Sequence, residues 1–333
     1  MTGPGERPAV SVIVCTYNRA DSLRHTLTAL GAQVVPPDWP WELVVVDNNS
    51  TDHTRTVVER GGQNVPQLRY VFEPQQGLSH ARNAGIRAAA GKLLLFTDDD
   101  VRPEPNWIQT TVTALEREQA DGCGGYIAPD WETPPPAWLT ERFFGFLAVK
   151  VDTRPYLIEH PGQLPFGANM AIRRRLIDQH GDFDVHRGRR GNQLASGEDS
   201  ELFTRFLAAG AKLVYVPESR VHHRIEAFRT RKSYFRRWRR QTSHNLARTL
   251  GVPARRRIGG IPPYLVVQTL RAGARALTAR FTKPAPEAFA QEMILWHFFG
   301  TLHGLWQDRH QPIEPPVGTV QAVSTGPADP HAH

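Results

Sequence analysis

The sequence predicts an α/β fold on a parallel sheet built from βαβ units, and three observations predict it. Over the first hundred residues, short apolar runs rich in β-branched residues alternate with stretches of helical periodicity. Polar and acidic residues gather where those runs end, the edge at which open α/β sheets bind ligands. Of the 333 residues, 40% are hydrophobic and 22% charged, enough apolar material for a large core and too little charge for a disordered chain.

Val10 to Tyr17 (VSVIVCTY) reads as the first strand, and Asp21 or Ser22 can cap a helix carrying Leu23, Leu27 and Leu30 on one face. Leu43 to Asp47 (LVVVD) repeats the device, with Asp52 placed to cap a helix through Val57 and Val58. Leu68 to Phe72 is a third strand. Ser79 can cap an alanine-rich helix ending near Gly91, and Leu93 to Thr97 (LLLFT) is a fourth strand running into Asp98, Asp99 and Asp100. A helix through Ala114 and Leu115 leads to GCGGYIAP and then to WETPPPAW, whose three prolines favour an extended, mobile connection. Phe166 to Ile172 reads as a strand, Asp199 to Ala209 as a helix, and Val214 to Val216 as the last core strand. The tail after Pro312 has no periodicity and is expected to be disordered.

The formal charge of +7 is not spread along the chain. Between Arg224 and Arg257 twelve Lys or Arg face Glu226 alone, which leaves the remainder net acidic. Cys15 and Cys123 offer neither a disulfide framework nor paired metal-ligand spacing, so both read as small buried thiols in a reducing compartment. The opening MTGPGERPAV lacks a basic segment followed by an apolar one, so no secretory signal is expected and a cytoplasmic location is. Met293 to Trp306 is apolar but too short to span a bilayer.

Asp98, Asp99 and Asp100 are the most informative residues. Three adjacent carboxylates at the end of a buried strand repel one another unless a cation or donors lie nearby. Such a run can hold Mg2+ or Mn2+ through oxygen and leave coordination sites for a diphosphate; taken alone, it is equally a solvated turn. The segments SVIVCTYNRADSLRHTL, VVVDNNSTDHT, GLSHARNAGIRAAAGKLLLFTDDD, GANMAIRR and GEDSELFTRFLAAG, in this order, resemble the successive signatures of family 2 glycosyltransferases across Val10 to Arg224.

That resemblance implies a GT-A fold, a Rossmann-like α/β/α sandwich, and inverting transfer of a sugar from a nucleotide diphosphate donor, a UDP-sugar by preference, to an acceptor hydroxyl. It implies donor-binding roles for Thr16, Tyr17, Asn18, Arg19 and Asp47, with Arg82 near phosphate and Asn83 near ribose. Asp47 is also a plausible turn residue within DNNSTD. The triplet matches the family's DxD motif, with Asp98 and Asp99 as donor contacts and Asp100, Asp98 and a histidine as metal ligands; three acids in a row leave the register open. The histidine is His222 or His223, with His223 favoured. Gly167 and Asn169 of GANM correspond to the acceptor side. Asp199 corresponds to the base that removes the acceptor proton, and Glu198 to a residue that orients it. Acids at a helix start are also favoured by capping and by the helix dipole.

The expected organisation is a catalytic domain over residues 1–224, a basic helical extension over 225–312 and a tail over 313–333. Residues 8–105 form the nucleotide-sugar half of the domain and 106–224 the acceptor half. Thr230 to Leu250 reads as an arginine-rich helix in which Tyr234, Phe235, Trp238 and Leu246 suit an anionic membrane surface; the charge run is equally a solvated face. Peripheral attachment there would serve a lipid-linked acceptor in polysaccharide or glycolipid synthesis. The competing readings are a nucleotidyltransferase, which lacks its Gly-rich, Lys-containing opening here, and a noncatalytic nucleotide-sugar or RNA binder on the same scaffold.

Overall fold

The computed structural model describes residues 9–61, 65, 67–189, 197–250, 252 and 257–307; the expected tail lies outside them. Alternating βα units open the chain: β1 (Val10–Thr16), α1 (Ala20–Gly31), β2 (Trp41–Asp47), α2 (Thr54–Gly61), β3 (Leu68–Phe72), α3 (Leu78–Ala88) and β4 (Leu93–Asp98). There follow β5 (Val101–Pro103), α4 (Trp107–Arg117), β6 (Gly122–Trp131), β7 (Tyr156–Leu157), β8 (Met170–Arg173), α5 (Arg174–His180), α6 (Glu198–Ala208) and β9 (Leu213–Ile225). Among the described residues the strands form one sheet in the order β3-β2-β1-β4-β8-β6-β9-β5, with β7 added on β9. β3, β2, β1 and β4 are mutually parallel, and β8 is antiparallel to both β4 and β6.

Both faces of the sheet are covered, which is why its first strands read as unbroken apolar runs rather than as alternating ones. On one face Val12, Val14, Val45 and Leu95 pack with Leu23, Leu27, Val58 and Ile108 from α1, α2 and α4. On the other, Ile13, Val44, Val46 and Phe96 meet Ala81, Leu176, Leu202 and Phe206 from α3, α5 and α6. Each of the Val, Leu, Ile and Phe side chains among them contributes about 1.5–3 kcal/mol on burial. Parallel register brings Cys15 beside Asp98 and Thr16 beside Asp47, so the polar strand ends share one edge.

Several boundaries differ from those expected. The strand sought at Phe166 starts only at Met170, because residues 167–169 form a turn. β9 runs on past Val216 to Ile225, so His222 and His223 lie within it rather than after it. The α1 amide of Ala20 donates to Asp52 at 3.0 Å, and Asp52 also accepts from the Thr54 amide that opens α2. Ser79 sits inside α3 and its hydroxyl donates to the Arg187 carbonyl.

Three helices follow the sheet: α7 (Lys232–Leu250), α8 (Pro263–Thr282) and α9 (Ala285–Gln307). The aromatics expected on a membrane face of α7 are turned inward. Tyr234 and Phe235 are buried in a cluster with Trp138, Phe143 and Phe289, where the Trp138 ring lies edge-on to Phe289 at 4.7 Å and to Phe235 at 5.2 Å. Trp131 and Trp138, the two ends of WETPPPAW, both pack on this cluster, so the stretch is anchored by an aromatic residue at each end. α9 packs on α7 through Gly300 and Gly304, where a Cβ would stand 2.3 Å from the Arg240 carbonyl oxygen and 2.6 Å from that of His244. Gly300→Ala is therefore expected to cost about 1–3 kcal/mol, read as a lower urea midpoint at unchanged slope; an unchanged midpoint would show that the helices part freely.

Candidate active site

A cavity of about 470 Å³ opens at the carboxyl ends of the parallel strands. Of the residues singled out in the sequence, Thr16, Tyr17, Arg19, Arg82, Asp98, Asp99, Asp100, Gly167, Glu198, Asp199 and His223 line it. β1 supplies Thr16, β4 ends in Asp98, α3 carries Arg82, α6 opens with Glu198 and Asp199, and β9 brings in His223. β5 pairs antiparallel with β9 so that Val101 faces His223, and the Arg224 amide donates to the Asp100 carbonyl at 2.9 Å. That pairing fixes the histidine against the acidic triplet. His222, its neighbour in the strand, points the other way, to Glu104 at 3.4 Å.

Buried arginines hold the carboxylates together. Arg82, 3% exposed, reaches Glu198 at 3.1 Å, ion-pairs closely with Asp199 and stands 3.8 Å from Asp98. The sequence suggested a phosphate partner for Arg82; its guanidinium is instead engaged by the protein's own acids. Its path explains Gly167, where a Cβ would lie 1.9 Å from Arg82 Nη2. The Gly167 amide donates to Asp199 Oδ2 at 2.8 Å. Asp99 accepts from the Thr16 hydroxyl at 2.8 Å and lies 3.3 Å from Arg19. Asp100 is ringed by Arg19 at 3.0 Å, His223 at 3.4 Å and Arg229 at 3.5 Å.

Burial and charge set the protonation of these acids. Burial pushes Asp199 up to about 6, reinforced by Glu198 and opposed by Arg82 and the Gly167 amide. Burial likewise raises Asp99 to about 7, with Asp100 adding to it and Arg19 and Thr16 opposing it. At Asp100 burial acts upward as well, but His223, Arg19 and Arg229 outweigh it and hold the carboxyl well below the usual range. Strongly displaced acids in a cleft mark functional sites. Three buried polar atoms here, Glu198 Oε2, His223 Nδ1 and Arg229 Nε, have no hydrogen-bond partner among the described residues.

Four expected site residues do not line the cavity. Asn83 spends both ends of its amide on Phe183, donating to its carbonyl at 2.8 Å and accepting from its amide at 3.0 Å. Asn169 accepts from the Trp107 indole at 2.9 Å and donates to the carbonyls of Ser219 at 2.8 Å and Tyr126 at 3.0 Å. Both are corrections: these amides brace the scaffold. Asp47 accepts from the Ser50 amide at 2.9 Å and the Tyr70 hydroxyl at 2.8 Å, and the Asn18 side-chain oxygen Oδ1 accepts from the Thr51 amide at 2.7 Å. Sequence reasoning missed Asn48, Gln76, Phe146 and Arg229 and gave Trp238 and Leu246 to a membrane surface; all six line the cavity. The last three come from the segment after Arg224, so that segment completes the site's wall.

The side chains suit a hard divalent cation in kind. Asp98 and Asp100 offer carboxylate oxygen and His223 an imidazole, which Mg2+ and Mn2+ accept. Among the described residues, no three such groups converge as a ready-made metal cage, and Arg19 and Arg229 balance the charge of Asp100.

An α/β sheet of mixed direction, acids gathered at its parallel edge and a helical C-terminal segment are the architecture of the GT-A fold. The model of glycosyl transferase family 2 matches residues 11–181, and the chain belongs to that family. It is 28% identical to the glucosyl-dolichyl phosphate glucuronosyltransferase of Haloferax volcanii over 227 residues, covering 66% of this chain and 71% of the relative. It is 26% identical to the succinoglycan biosynthesis protein ExoM of Rhizobium meliloti over 245 residues, covering 72% and 75%. Among solved structures it resembles the mannosyltransferase PcManGT from Pyrobaculum calidifontis, captured with GDP-Man and Mn2+, at a TM-score of 0.62 and 21% identity over 91% of this chain and 89% of that one. At that identity the likeness concerns the fold alone.

Proposed function

We propose that the protein is an inverting glycosyltransferase that moves a sugar from a nucleoside diphosphate donor to an acceptor hydroxyl, with Asp199 as the base. The observation that carries this reading is the convergence of Asp98, Asp100, Glu198 and Asp199 on one cavity, with Arg82 bridging the strand-end acid to the pair on α6. Asp199 is held from two sides, by Arg82 and by the Gly167 amide, and faces the cavity. An acceptor hydroxyl beside it would give its proton to the carboxylate as its oxygen bonds to the anomeric carbon. The bond from that carbon to the diphosphate oxygen breaks on the opposite face, and its electron pair leaves with the diphosphate.

Asp98, Asp100 and His223 are the residues that would hold Mg2+ or Mn2+. Bound there, the ion would supply Lewis acidity that stabilises charge on the departing diphosphate. Phe146, Trp238 and Leu246 give the cavity an apolar flank, which suits an acceptor carrying an apolar surface. The Haloferax relative is named for a glucosyl-dolichyl phosphate substrate and the Rhizobium relative for succinoglycan biosynthesis, so lipid-linked and polysaccharide acceptors both belong in the test. The fold neighbour captured with GDP-Man places GDP-sugars beside UDP-sugars among the donors to try.

The test is thermal stabilisation by UDP-, GDP- and dTDP-sugars with and without Mn2+, since a ligand that favours the native state raises its midpoint, followed by sugar transfer before and after EDTA. Mn2+-dependent stabilisation by one nucleotide sugar, and transfer abolished by EDTA, are expected. Failure of every donor to stabilise the protein would sink the proposal. A second reading is favoured by the ion pairs of Arg19 and Arg229 with Asp100: transfer without a metal, the guanidiniums carrying the diphosphate. Activity undiminished by EDTA would select it.

A further inference from the structure

α8 is built the wrong way round for a helix that merely closes a domain. Its buried positions are Leu265, Thr269, Ala272 and Ala279, mostly small side chains. Its larger apolar residues face outward: Val267 is 46% exposed, Leu270 70%, Leu277 62% and Phe281 80%. With Ala274 between them, these residues follow one another at intervals of three and four and so form a single stripe along the helix. Exposed Arg271 and Arg275 lie on one flank of the stripe and exposed Arg280 on the other. The helix contains no acid, and neither does α7, which carries Lys232, Arg236, Arg237, Arg239, Arg240 and Arg248.

From this arrangement we infer that α8 lies in the plane of an anionic lipid bilayer, with Val267, Leu270, Leu277 and Phe281 in the interfacial region and its arginines on lipid phosphates. Length and chemistry agree with an in-plane helix. α8 has 20 residues, interfacial helices are commonly of that length, and their apolar stripes are bordered by Lys or Arg. Arginine stems can follow the apolar surface while the guanidiniums stay in the headgroup layer. No helix among the described residues is long and apolar enough to cross a membrane. A second copy of the chain is the weaker partner, because a twofold contact through this face would oppose rows of like charge. An anionic surface satisfies both the stripe and its flanks. The membrane element is thus α8 rather than α7, whose aromatics are spent on the core.

The inference goes beyond the transfer chemistry and is tested without it. Flotation with vesicles of phosphatidylglycerol and phosphatidylcholine is expected to carry the protein at low salt, with binding about tenfold or more weaker on phosphatidylcholine alone. Leu270→Glu combined with Leu277→Glu and Phe281→Glu, and separately Arg271→Gln with Arg275→Gln and Arg280→Gln, are each expected to lose about tenfold or more of that binding. Both variants should keep the parent's melting midpoint, since these positions face solvent. Phe281→Trp, a milder probe, should show blue-shifted emission when anionic vesicles are added. No flotation of the parent at low salt, undiminished binding by the triple Glu variant, or unshifted Phe281→Trp emission would overturn the inference. So would a parent dimer that the triple Glu change dissociates while vesicle binding persists.

Discussion

Asp199→Asn is expected to lower kcat by about 10²–10⁴-fold, the usual worth of a positioned general base, with little change in donor affinity. The amide keeps the size of the carboxylate, but its oxygen cannot take a proton from an incoming hydroxyl. Donor affinity survives because Asp199 and Asp100 are tied by different groups: Asp199 by Arg82 and Gly167, Asp100 by Arg19, His223 and Arg229. A loss confined to kcat marks an interaction made in the transition state rather than in donor binding. The parent should also show an acidic limb in kcat/KM. Burial holds Asp199 near 6, with Glu198 adding to it and Arg82 opposing it, so the base is protonated and inactive below that pH and ionised above it. Activity therefore rises with pH through about 6, and that limb should vanish in the residual activity of Asp199→Asn. A variant turning over within about threefold of the parent would remove the base assignment.

The first half of the fold was legible because β1, β2 and β4 are buried on both faces, and burial leaves an unbroken apolar record in the sequence. β6 left no such record. Gly122, Gly124 and Gly125 weaken any strand pattern, yet they are there because the chain is crowded: a Cβ at Gly125 would meet Asn169 Nδ2 and the Ser219 carbonyl oxygen at 2.3 Å. β9 was cut short for a different reason. From Ser219 on, Val221, His223 and Ile225 are buried while Arg220 and Arg224 are exposed, a period of two that the paired histidines disguised. That alternation is the signal that separates His223 from His222.

In the site, motifs found the acids but not their partners. Arg229 is one of twelve cations in the basic segment, and nothing in a linear charge count shows that, among the described residues of that segment, it alone is buried against both Asp100 and His223. Asn169 and Asn83 failed as ligands because an amide that could bind a hydroxyl can equally bind two backbone groups; only the fold decides which lie nearer. The aromatic residues of α7 failed as membrane anchors in the same way, since Trp138, Phe143 and Phe289, distant in sequence, converge on them.

Arg82→Met is expected to be the most damaging single change to the fold as well as to the site. The guanidinium is 3% exposed and is shared by Glu198, Asp199 and Asp98. Removing one partner of a buried ion pair typically costs about 3–5 kcal/mol, because the remaining charge is left without compensation. The carboxylates can escape that penalty only by taking up protons. Arg82 now opposes the burial that raises Asp199 and Asp98, so its loss drives both further up, and the folded variant binds more protons than its unfolded chain. Stability then falls as pH rises. Urea unfolding should accordingly show a larger deficit at pH 8 than at pH 5, the reverse of ordinary acid destabilisation. Combining Arg82→Met with Asp199→Asn should recover part of the loss, because the double variant no longer buries that ionised acid and the two sites are in contact. A deficit independent of pH and unrelieved in the double variant would mean that Arg82 acts by packing on Phe183, whose ring lies 5.1 Å from its guanidinium carbon, and not by balancing charge.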